Sequence, residues 1–514
     1  MSKTIIIIGA GLAGLSAALQ AAENGCNVKL VSSLPSERAQ SVMAEGGINA
    51  ALNTKDENDS PEEHFTDTIK AACGLADPNA VWGMTQAAPE LVHWLLKFGV
   101  KFNMSGYDDV DLRNFGGQKK KRTAFAQSDT GKQIMTAMID AVRRKEASGM
   151  VERFSHHSFL TLRLCDNICC GCVIRDEYSQ ETVELPGDAV IVATGGMHGL
   201  FGNTTGSLSN TGEVTAELFR LGVPLANGEM IQYHPTTVKC GGKRMLISEA
   251  ARGEGGRLFA MKDGKQWYFM EEKYPELGNL MPRDITAREI WKVSHESEVF
   301  LEMTEISEEI ISNKLSGLAD DCMTYLHKDI RKEPVSVLPG IHYFMGGILV
   351  DEQHRTPIQN LYAAGECCAQ YHGANRLGGN SLLGALYGGR VAAKSACEQA
   401  DVVDLSCATQ IDFPPASQIS EIKQLNKVMQ ETMGVVRNEN TLLNGIQTVQ
   451  ALTGNLPLLG MAVLKSALAR KESRGAHWRE DYPKSNDDDY LKTTVARFDG
   501  KQIQISFVPV PERR

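Results

Sequence analysis

One short stretch, residues 3–25 (KTIIIIGAGLAGLSAALQAAENG), constrains the fold of this chain more than any other. Four consecutive isoleucines at positions 5–8 predict a strand buried on both faces, and a helical pattern begins directly after it. Gly9 permits the tight turn, Gly11 lets the backbone approach a pyrophosphate, and Gly14 lets the helix pack close to the strand. Because the helix N-terminus can then bind the phosphates, this stretch predicts a bound dinucleotide.

The glycines do not identify the nucleotide, because NAD-binding and FAD-binding domains share them. NAD-binding domains carry an acidic residue about twenty positions further on, at the end of the second strand, where it binds the ribose. Here the strand at residues 27–31 ends in Ser32 and Ser33, so a hydroxyl must meet the ribose. This disfavours NAD and makes Ser32 a candidate cofactor-binding residue.

The chain has 514 residues, enough for two or three domains with separate cores. Its formal net charge of −10 argues against nucleic acid as a partner. A basic run, KKKR at residues 119–122, is interpreted as a solvated loop rather than a partner site. An anionic substrate must therefore be attracted by a local cluster of Arg and His.

Nothing in the sequence predicts export or membrane insertion. The first apolar stretch lacks a basic region and a cleavage site, and no apolar run long enough to span a bilayer follows. We therefore expect a soluble, cytoplasmic protein that associates with a membrane only through a partner subunit. The twelve cysteines suit a reducing compartment.

The densest group of cysteines does not predict a metal site. Cys165, Cys169, Cys170 and Cys172 match no ligand spacing of zinc or iron–sulfur centres. Asp166-Asn167 is typical of a turn between two strands, whose alternation places the cysteines on different faces.

The pattern of a buried strand followed by glycine recurs twice, at residues 188–196 and 360–366. The segment between these two returns contains polar helices and loops, which indicates an insertion. From about residue 415 the apolar spacing becomes helical. We expect a dinucleotide domain formed by residues 1–227 and 341–412, an inserted domain at 228–340, and a helical domain at 413–514.

Several stretches far apart in the sequence are rich in side chains that bind carboxylates. They are QYHPT at 232–236, SEAARGEGG at 248–256, PRD at 282–284, HYFMGG at 342–347 and HGANR at 372–376. Each His or Arg alone is more often a structural residue than a ligand-binding one. Their joint occurrence beside glycine-rich turns favours a carboxylate-binding site.

These motifs resemble the flavoprotein subunit of fumarate reductase and succinate dehydrogenase, and the related L-aspartate oxidase, over nearly the whole chain. The matching stretches are GAGLAGLSAA, AEGGINAAL, ATGG, QYHPT, SEAARGEGG, PRD, HYFMGG, YAAGE, HGANRLGGNSLL and ESRGAHWREDYP. The resemblance implies an α/β fold: a Rossmann-like FAD-binding domain, an inserted α+β capping domain over the flavin, and a C-terminal helical domain.

The resemblance also implies roles for residues. His234 and Ser248, which stands where the family usually has Thr, bind one substrate carboxylate, and His342 and Arg376 bind the other. Arg283 delivers the proton, and Glu249 and Arg252 supply it. The remaining FAD contacts implied by the resemblance are Gly9, Gly11, Gly14, Ser41, Gly46, Gly47, Glu213, Glu366, Asn380, Ser381 and Leu382. Glu213 stands where the family more often has Asp.

Three activities remain open: interconversion of fumarate and succinate, oxidation of L-aspartate to iminoaspartate in NAD biosynthesis, and reduction of another unsaturated carboxylate. The resemblance implies that the aspartate oxidase has a glutamate that meets the substrate ammonium, two residues after an arginine. Here the loop reads RNFGG at 113–117, with Phe115 at that position. An aromatic ring there favours the first activity.

The electron donor is outside this chain, because the sequence has no cysteine pattern for its own iron–sulfur clusters and no haem motif. The donor is an iron–sulfur subunit, a reduced flavin or an artificial dye. Respiratory members of the family attach FAD covalently through a histidine, and alignment on AEGG at 44–47 puts Gln40 at that place. No histidine occurs in residues 1–53, so we expect noncovalent FAD.

Overall fold

A computed structural model of the chain describes residues 2–106, 109–401, 411, 413 and 418–514. Its central element is a parallel sheet of five strands, in the order Leu361–Ala363, Ala189–Val192, Thr4–Ile8, Asn27–Ser32 and Val151–Ser155. The four isoleucines of the first strand are all buried, as the unbroken apolar run predicts. The direction of the strand order reverses beside the first strand, which is where α/β sheets bind ligands.

Helices cover this sheet. Leu12–Glu23 follows the first strand and packs against Asn380–Gln399, while Thr130–Ala147 packs on its other side. Pro61–Ala71 and Pro78–Lys97 lie further out, and short strands at Ile48–Asn49, Leu112–Arg113 and Thr123–Ala124 form a small sheet. The apolar core on this side includes apolar residues between Ile5 and Leu30, of the helix at 130–147 and of the helix at 380–399.

A three-stranded antiparallel sheet, His157–Cys165, Ile168–Asp176 and Thr182–Pro186, covers the opposite side. Its first hairpin turns at Asp166 and Asn167, both with positive φ, as the sequence predicts. A register shift beside Gly171 alters the strict alternation, so that Cys169 and Cys172 lie in the same core. In the described part of the chain, no group of three or more His, Cys, Asp or Glu is arranged to hold a metal.

The inserted segment has its own apolar core, formed largely by residues 247–337. It contains a four-stranded sheet in the order Lys265–Trp267, Arg257–Lys262, Val299–Glu302 and Val335–Ser336. Its helices are Glu249–Gly253, Phe269–Lys273, Arg283–Val293, Glu308–Lys314 and Ser316–Asp321, with a π-helix at Cys322–Leu326. A second sheet, Lys243–Leu246, Ile231–Cys240 and Leu338–Phe344, connects this segment to the rest of the molecule.

In the C-terminal part, the helices Ile419–Thr432, Glu439–Val449 and Asn455–Ala469 pack together, and the last of them contacts the helix Glu213–Arg220. After the short helix Asp487–Tyr490, the chain ends in a hairpin of Lys492–Phe498 and Ile503–Pro509 that the helical pattern does not predict. The hairpin extends a sheet formed by Cys368–Ala369, Gly347–Leu349 and Leu225–Ala226. Among the described residues, no helix is both long enough and apolar enough to cross a membrane.

The interpretation of the basic run at 119–122 as a solvated loop is wrong for one residue. Arg122 is fully buried, and its Nη2 lies 2.9 Å from carboxylate oxygens of both Asp59 and Asp67. Burial of a guanidinium requires such partners. The charge of Arg122 is therefore part of the interior.

Candidate functional site

A large cavity lies at the carboxyl ends of the parallel strands, between the sheet and the inserted segment. Its volume is about 640 Å³. The glycine turn after the first strand lines one end, and His234, His342, Arg283 and Arg376 line the other. The motifs that the sequence singles out from 9 to 382 therefore meet in one place.

The glycine turn has the shape that a dinucleotide requires. Gly9 has φ +110°, and a Cβ there would lie 2.3 Å from the Ala193 carbonyl oxygen. A Cβ on Gly14 would lie 1.8 Å from the Gly9 carbonyl oxygen, so the helix can pack here only without a side chain. Gly11 caps the helix without a side-chain hydrogen bond; the Leu12 N–H donates to Ser41 Oγ at 3.3 Å, and the N–H groups that follow it in this first turn are available to phosphate.

Ser32 supports the same assignment. Its Oγ is buried at the end of the second strand, lines the cavity, and has no hydrogen-bond partner among the described residues. A buried hydroxyl normally has a hydrogen-bond partner, and a ribose hydroxyl can be that partner here. The residues at this end of the cavity fit a dinucleotide.

Most other expected cofactor residues line the same cavity: Ser41, Gly46, Gly47, Glu213, Glu366, Ser381 and Leu382. Glu366 Oε1 accepts a 3.0 Å hydrogen bond from the Phe344 backbone. Gly14 and Asn380 do not line it. Asn380 is buried at the start of the helix Asn380–Gln399, where its side chain bonds Asn49, His64 and Thr68. Its position indicates that it supports the cavity wall.

Two imidazoles of the cavity lining meet in a T-shaped arrangement. His234 comes from the strand Ile231–Cys240 and His342 from the neighbouring strand, and their ring centroids are 5.2 Å apart. Burial lowers the pKa of both rings well below the ordinary value, and the charge of Arg283 lowers it further. Both rings are therefore neutral at neutral pH, and each has one N–H to donate.

Local contacts orient these rings. His342 Nδ1 lies 2.8 Å from the Thr205 hydroxyl. When that hydroxyl donates, the ring proton is on Nε2. His234 Nδ1 lies 3.1 Å from the Thr236 carbonyl oxygen and 3.3 Å from the Thr236 N–H. Ser248, whose hydroxyl accepts from the Ala250 N–H at 3.4 Å, lines the cavity near them.

Arg376 is a buried cation with unused hydrogen-bonding capacity. Its Cζ lies 4.3 Å from the centroid of the Tyr343 ring, and its Nε has no hydrogen-bond partner among the described residues. Burial, assisted by the charge of Arg283, lowers its pKa to about 9. An anion in the cavity would restore the lost solvation of this guanidinium.

Arg283 is held at the start of its helix by two partners. Its Nε and Nη2 donate to Glu249 Oε2 at 2.7 and 2.5 Å, and its Nη1 donates to Gln232 Oε1 at 3.0 Å. Arg252 donates to the other Glu249 oxygen at 3.2 Å and does not itself line the cavity. Although burial acts in the opposite direction, Arg283 and Arg252 lower the pKa of Glu249. Glu249 is thus an ionised bridge between two guanidinium groups.

Gln232 is a site residue whose role the sequence does not reveal. While its carbonyl accepts from Arg283, its amide donates to the Arg376 carbonyl oxygen at 2.8 Å and to Asn375 Oδ1 at 2.9 Å. Asn375 in turn donates to Asp284 at 3.1 Å. One amide therefore links the two arginines. In the sequence, only its place in the QYHPT motif could have indicated that Gln232 belongs to the site.

Phe115, which the family resemblance places at the position of the glutamate of the aspartate oxidase, is buried. A Cβ on Gly46 or on Gly378 would lie 2.9 Å from its ring, so these glycines make room for the aromatic side chain. Arg113 lies 5.7 Å from the ring centroid and donates to the Gly46 carbonyl oxygen. The ring offers no negative charge to a substrate amine.

Glu45 is a second residue that sequence reasoning missed. It lies beside Gly46, lines the cavity, and its Oε2 is buried without a hydrogen-bond partner among the described residues. Burial, with the charge of Asp321 adding to it, raises the pKa of this carboxyl to about 8. Glu45 is therefore largely protonated at neutral pH.

Comparisons with known proteins agree with this geometry. A family model described as FAD binding domain matches residues 4–382, and one described as fumarate reductase flavoprotein C-term matches residues 452–513. A succinate dehydrogenase flavoprotein subunit from Bacillus subtilis is 38% identical, over all of this chain and 98% of its own length. The 8-methylmenaquinol:fumarate reductase flavoprotein subunit of Wolinella succinogenes is 32% identical, over all of this chain and 92% of its own.

Solved structures show the same fold. A mutant FrdA chain of E. coli quinol fumarate reductase superimposes with a TM-score of 0.89 at 27% identity, covering 99% of this chain and 97% of that one. Mycobacterium smegmatis Sdh1 in complex with UQ1 gives 0.84 at 29% identity, covering 100% and 95%. The expected architecture of FAD-binding, capping and C-terminal helical domains is confirmed. The chain belongs to the succinate dehydrogenase and fumarate reductase flavoprotein family and is a flavoprotein oxidoreductase.

Proposed function

We propose that this protein interconverts fumarate and succinate, with Arg283 as the proton donor in the direction of reduction. The observation that carries the proposal is the position of Arg283. It lies in the same cavity as two neutral histidines and Arg376, and it is held by Glu249 and Gln232. This arrangement supports the proposal, because it brings together the groups that a clamp for two carboxylates and a proton donor require.

Different side chains bind the two carboxylates of the substrate. His234 and Ser248 donate hydrogen bonds to one carboxylate, and His342 and Arg376 bind the other. The donors that bind the two carboxylates withdraw electron density through them, which makes the double bond between them more electrophilic. FAD, when bound, supplies the hydride for reduction or accepts it in the reverse reaction.

Arg283 completes the reduction by giving a guanidinium proton to the second alkene carbon, so fumarate, a hydride and a proton yield succinate. An isolated guanidinium is too weak an acid for this role. Here Arg283 shares Glu249 with Arg252, and a proton can return to it through that carboxylate. Residues Glu249 and Arg252 thus act as the proton supply.

Three further points belong to the proposal. FAD is bound noncovalently, because Gln40 stands at the position of the linking histidine and its amide is not a nucleophile. Gln40 lines the cavity, and its Oε1 accepts from the Ser207 N–H at 2.5 Å. Electrons reach the protein from another component, because the relatives named above are subunits; an iron–sulfur subunit suits that role. Any association with a membrane occurs through such a partner.

The proposal is tested by measuring two reactions on the purified, FAD-loaded protein. Fumarate with reduced viologen should turn over, and L-aspartate with oxygen should release no hydrogen peroxide, because Phe115 cannot pair the substrate ammonium. Steady peroxide release from aspartate without fumarate turnover would contradict the proposal and favour the aspartate oxidase. Turnover of neither would direct attention to another unsaturated carboxylate.

A further inference from the structure

Not every cation of the cavity lining has a part in the reaction described above. Arg244 lies on the strand Lys243–Leu246 and lines the same cavity as His234 and His342. Along this stretch, residues 241–243 are exposed, residues 244–246 are half-buried, and residues 247 and 248 are buried. Arg244 thus lies between solvent and the inner residues that bind substrate.

The backbone around Arg244 makes room for its side chain. A Cβ on Gly340 would lie 2.6 Å from Arg244 Nε and 2.7 Å from its Cδ. Gly340 pairs with His234 across the sheet and is two positions before His342. Arg244 therefore lies over the backbone that joins the two histidines.

Hydrogen bonds hold two of the three guanidinium nitrogens of Arg244, and Nη1 has no partner among the described residues. Nε donates to the Thr237 hydroxyl at 2.6 Å, and Nη2 donates to the Leu338 carbonyl oxygen at 3.3 Å. The Arg244 backbone N–H donates to the Thr204 carbonyl oxygen, next to the threonine that orients His342. The side chain has a defined position without a carboxylate partner.

Arg244 has no carboxylate partner among the described residues, although the protein as a whole is acidic. In the described part of the chain no carboxylate is within ion-pair distance of Arg244, and burial lowers the pKa of its guanidinium. A partly desolvated cation without a counter-ion attracts an anion. The exposed neighbour Lys243, which also lines the cavity, adds to this local field.

We propose that Arg244 is an outer carboxylate-binding residue, which binds one carboxylate of an incoming dicarboxylate at the cavity mouth before His234, His342 and Arg376 bind the ligand. The proposal rests on the proposed function for the class of ligand. It adds a specificity determinant: a small acid with two carboxylates is captured faster than one with a single carboxylate. The role is in capture and not in proton transfer.

The test measures binding without turnover. Malonate, a dicarboxylate without a double bond, is mixed rapidly with the FAD-loaded protein, and its association rate is followed by the change in flavin absorbance over a range of salt concentrations. Arg244→Gln should lower the association rate roughly fivefold and flatten its salt dependence, as expected for loss of a charge near the entrance. The dissociation rate should change less, and KM for fumarate should rise more than kcat falls.

Two further variants separate charge from structure. Arg244→Lys keeps the charge and should keep most of the association rate. Lys239→Gln removes one charge from the position paired with Arg244 on the adjacent strand, at a residue that does not line the cavity, and should stay within about twofold of the wild type. Thermal unfolding checks that each variant is folded.

Each contrary result has a distinct meaning. An unchanged rate in Arg244→Gln, an equal loss in Lys239→Gln, or a rate in Arg244→Lys as low as in Arg244→Gln would each overturn the role of Arg244. The last result would mean that the hydrogen bonds of Arg244 to Thr237 and Leu338, and not its attraction for an anion, set the association rate. If malonate and other dicarboxylates do not bind the wild type at all, the proposed function itself fails.

Discussion

The arrangement around Arg283 decides whether this cavity is a reaction site or only a binding site. Arg283 and Arg252 both form ion pairs with Glu249, so this buried carboxylate keeps one cationic partner if either arginine is removed. This matters for mutagenesis, because a buried charge left without a partner would destabilise the fold. Removing Arg283 therefore tests chemistry more than stability.

Arg283→Gln should abolish fumarate reduction while the protein retains FAD, because the residue lies at the substrate end of the cavity. Loss of a general acid costs about a hundredfold or more in kcat. Arg288→Gln is a matched control: it is on the same helix, and its guanidinium lies over the Trp478 ring outside the cavity lining. Retention of about a tenth of the wild-type rate by Arg283→Gln would contradict its role as proton donor.

Glu45 predicts a pH effect on stability. Burial raises the pKa of its carboxyl to about 8, whereas the ordinary value is 4.5. The folded state thus binds a proton that the unfolded state has released, and this contribution to stability is lost as the pH rises from about 4.5 through 8. Glu45→Gln carries no titrating group and should escape that loss.

The measurement compares melting temperatures of the FAD-loaded wild type and of Glu45→Gln at several pH values. The difference, variant minus wild type, should grow from pH 5 to pH 9. A constant difference over this range would show that the Glu45 carboxyl is ionised in the folded protein at neutral pH.

At the scale of elements, the first strand, its glycine turn and the helix Leu12–Glu23 were predictable because the information is local. The burial of the four isoleucines, the positive φ of Gly9 and the close packing at Gly14 can each be predicted from the residues next to them in the sequence. The hairpin turn at Asp166-Asn167 was predictable for the same reason. The burial of Arg122 was not predictable, since its partners Asp59 and Asp67 are more than fifty positions away in the sequence and KKKR alone is typical of a surface loop.

Two glycines of this turn should fail in different ways when changed to alanine. A Cβ on Gly14 would lie 1.8 Å from the Gly9 carbonyl oxygen, so Gly14→Ala should disrupt the fold. Gly11 has φ −77°, and its nearest neighbours to a new Cβ are at 3.7 and 3.8 Å. Gly11→Ala should therefore fold but bind FAD poorly, because its methyl group occupies the approach to the pyrophosphate.

Circular dichroism of the apoprotein and a titration with FAD distinguish these outcomes. Gly242→Ala is the control, since a Cβ there meets no atom within 4 Å. If Gly11→Ala binds FAD as the wild type does, the pyrophosphate does not approach this turn.

At the scale of the whole molecule, contacts between distant segments produce what the sequence did not reveal. The C-terminal hairpin pairs with residues 225 and 226, and Arg470 donates to Glu229 at 2.7 Å in the interior. Such pairings join segments more than two hundred positions apart, and no local period encodes them. The side chains predicted to bind carboxylates, which line the cavity together, were identified because each stands in a short motif. Gln232, Glu45 and Arg244 were not, because their roles depend on which neighbours the fold brings to them.

The attachment of FAD is a property of the assembled molecule, since it depends on which side chain the fold places beside the flavin. The family resemblance puts the linking histidine at the position of Gln40, which lines the cavity but has no nucleophilic nitrogen. Three histidines in the described chain, His157, His234 and His342, line the same cavity. We have proposed that His234 and His342 bind substrate, and His157 is in the strand that follows the parallel sheet.

We therefore predict that acid precipitation releases all FAD into the supernatant. The resemblance further implies that a flavin without the covalent bond has a lower reduction potential, so succinate oxidation should be slower than fumarate reduction in the same preparation. The measurements are the absorbance of the acid supernatant, the mass of tryptic peptides, and the two rates with artificial electron carriers. A flavin mass on any peptide would contradict noncovalent binding, with the peptide containing His157 the first to inspect, and faster succinate oxidation would contradict the predicted direction.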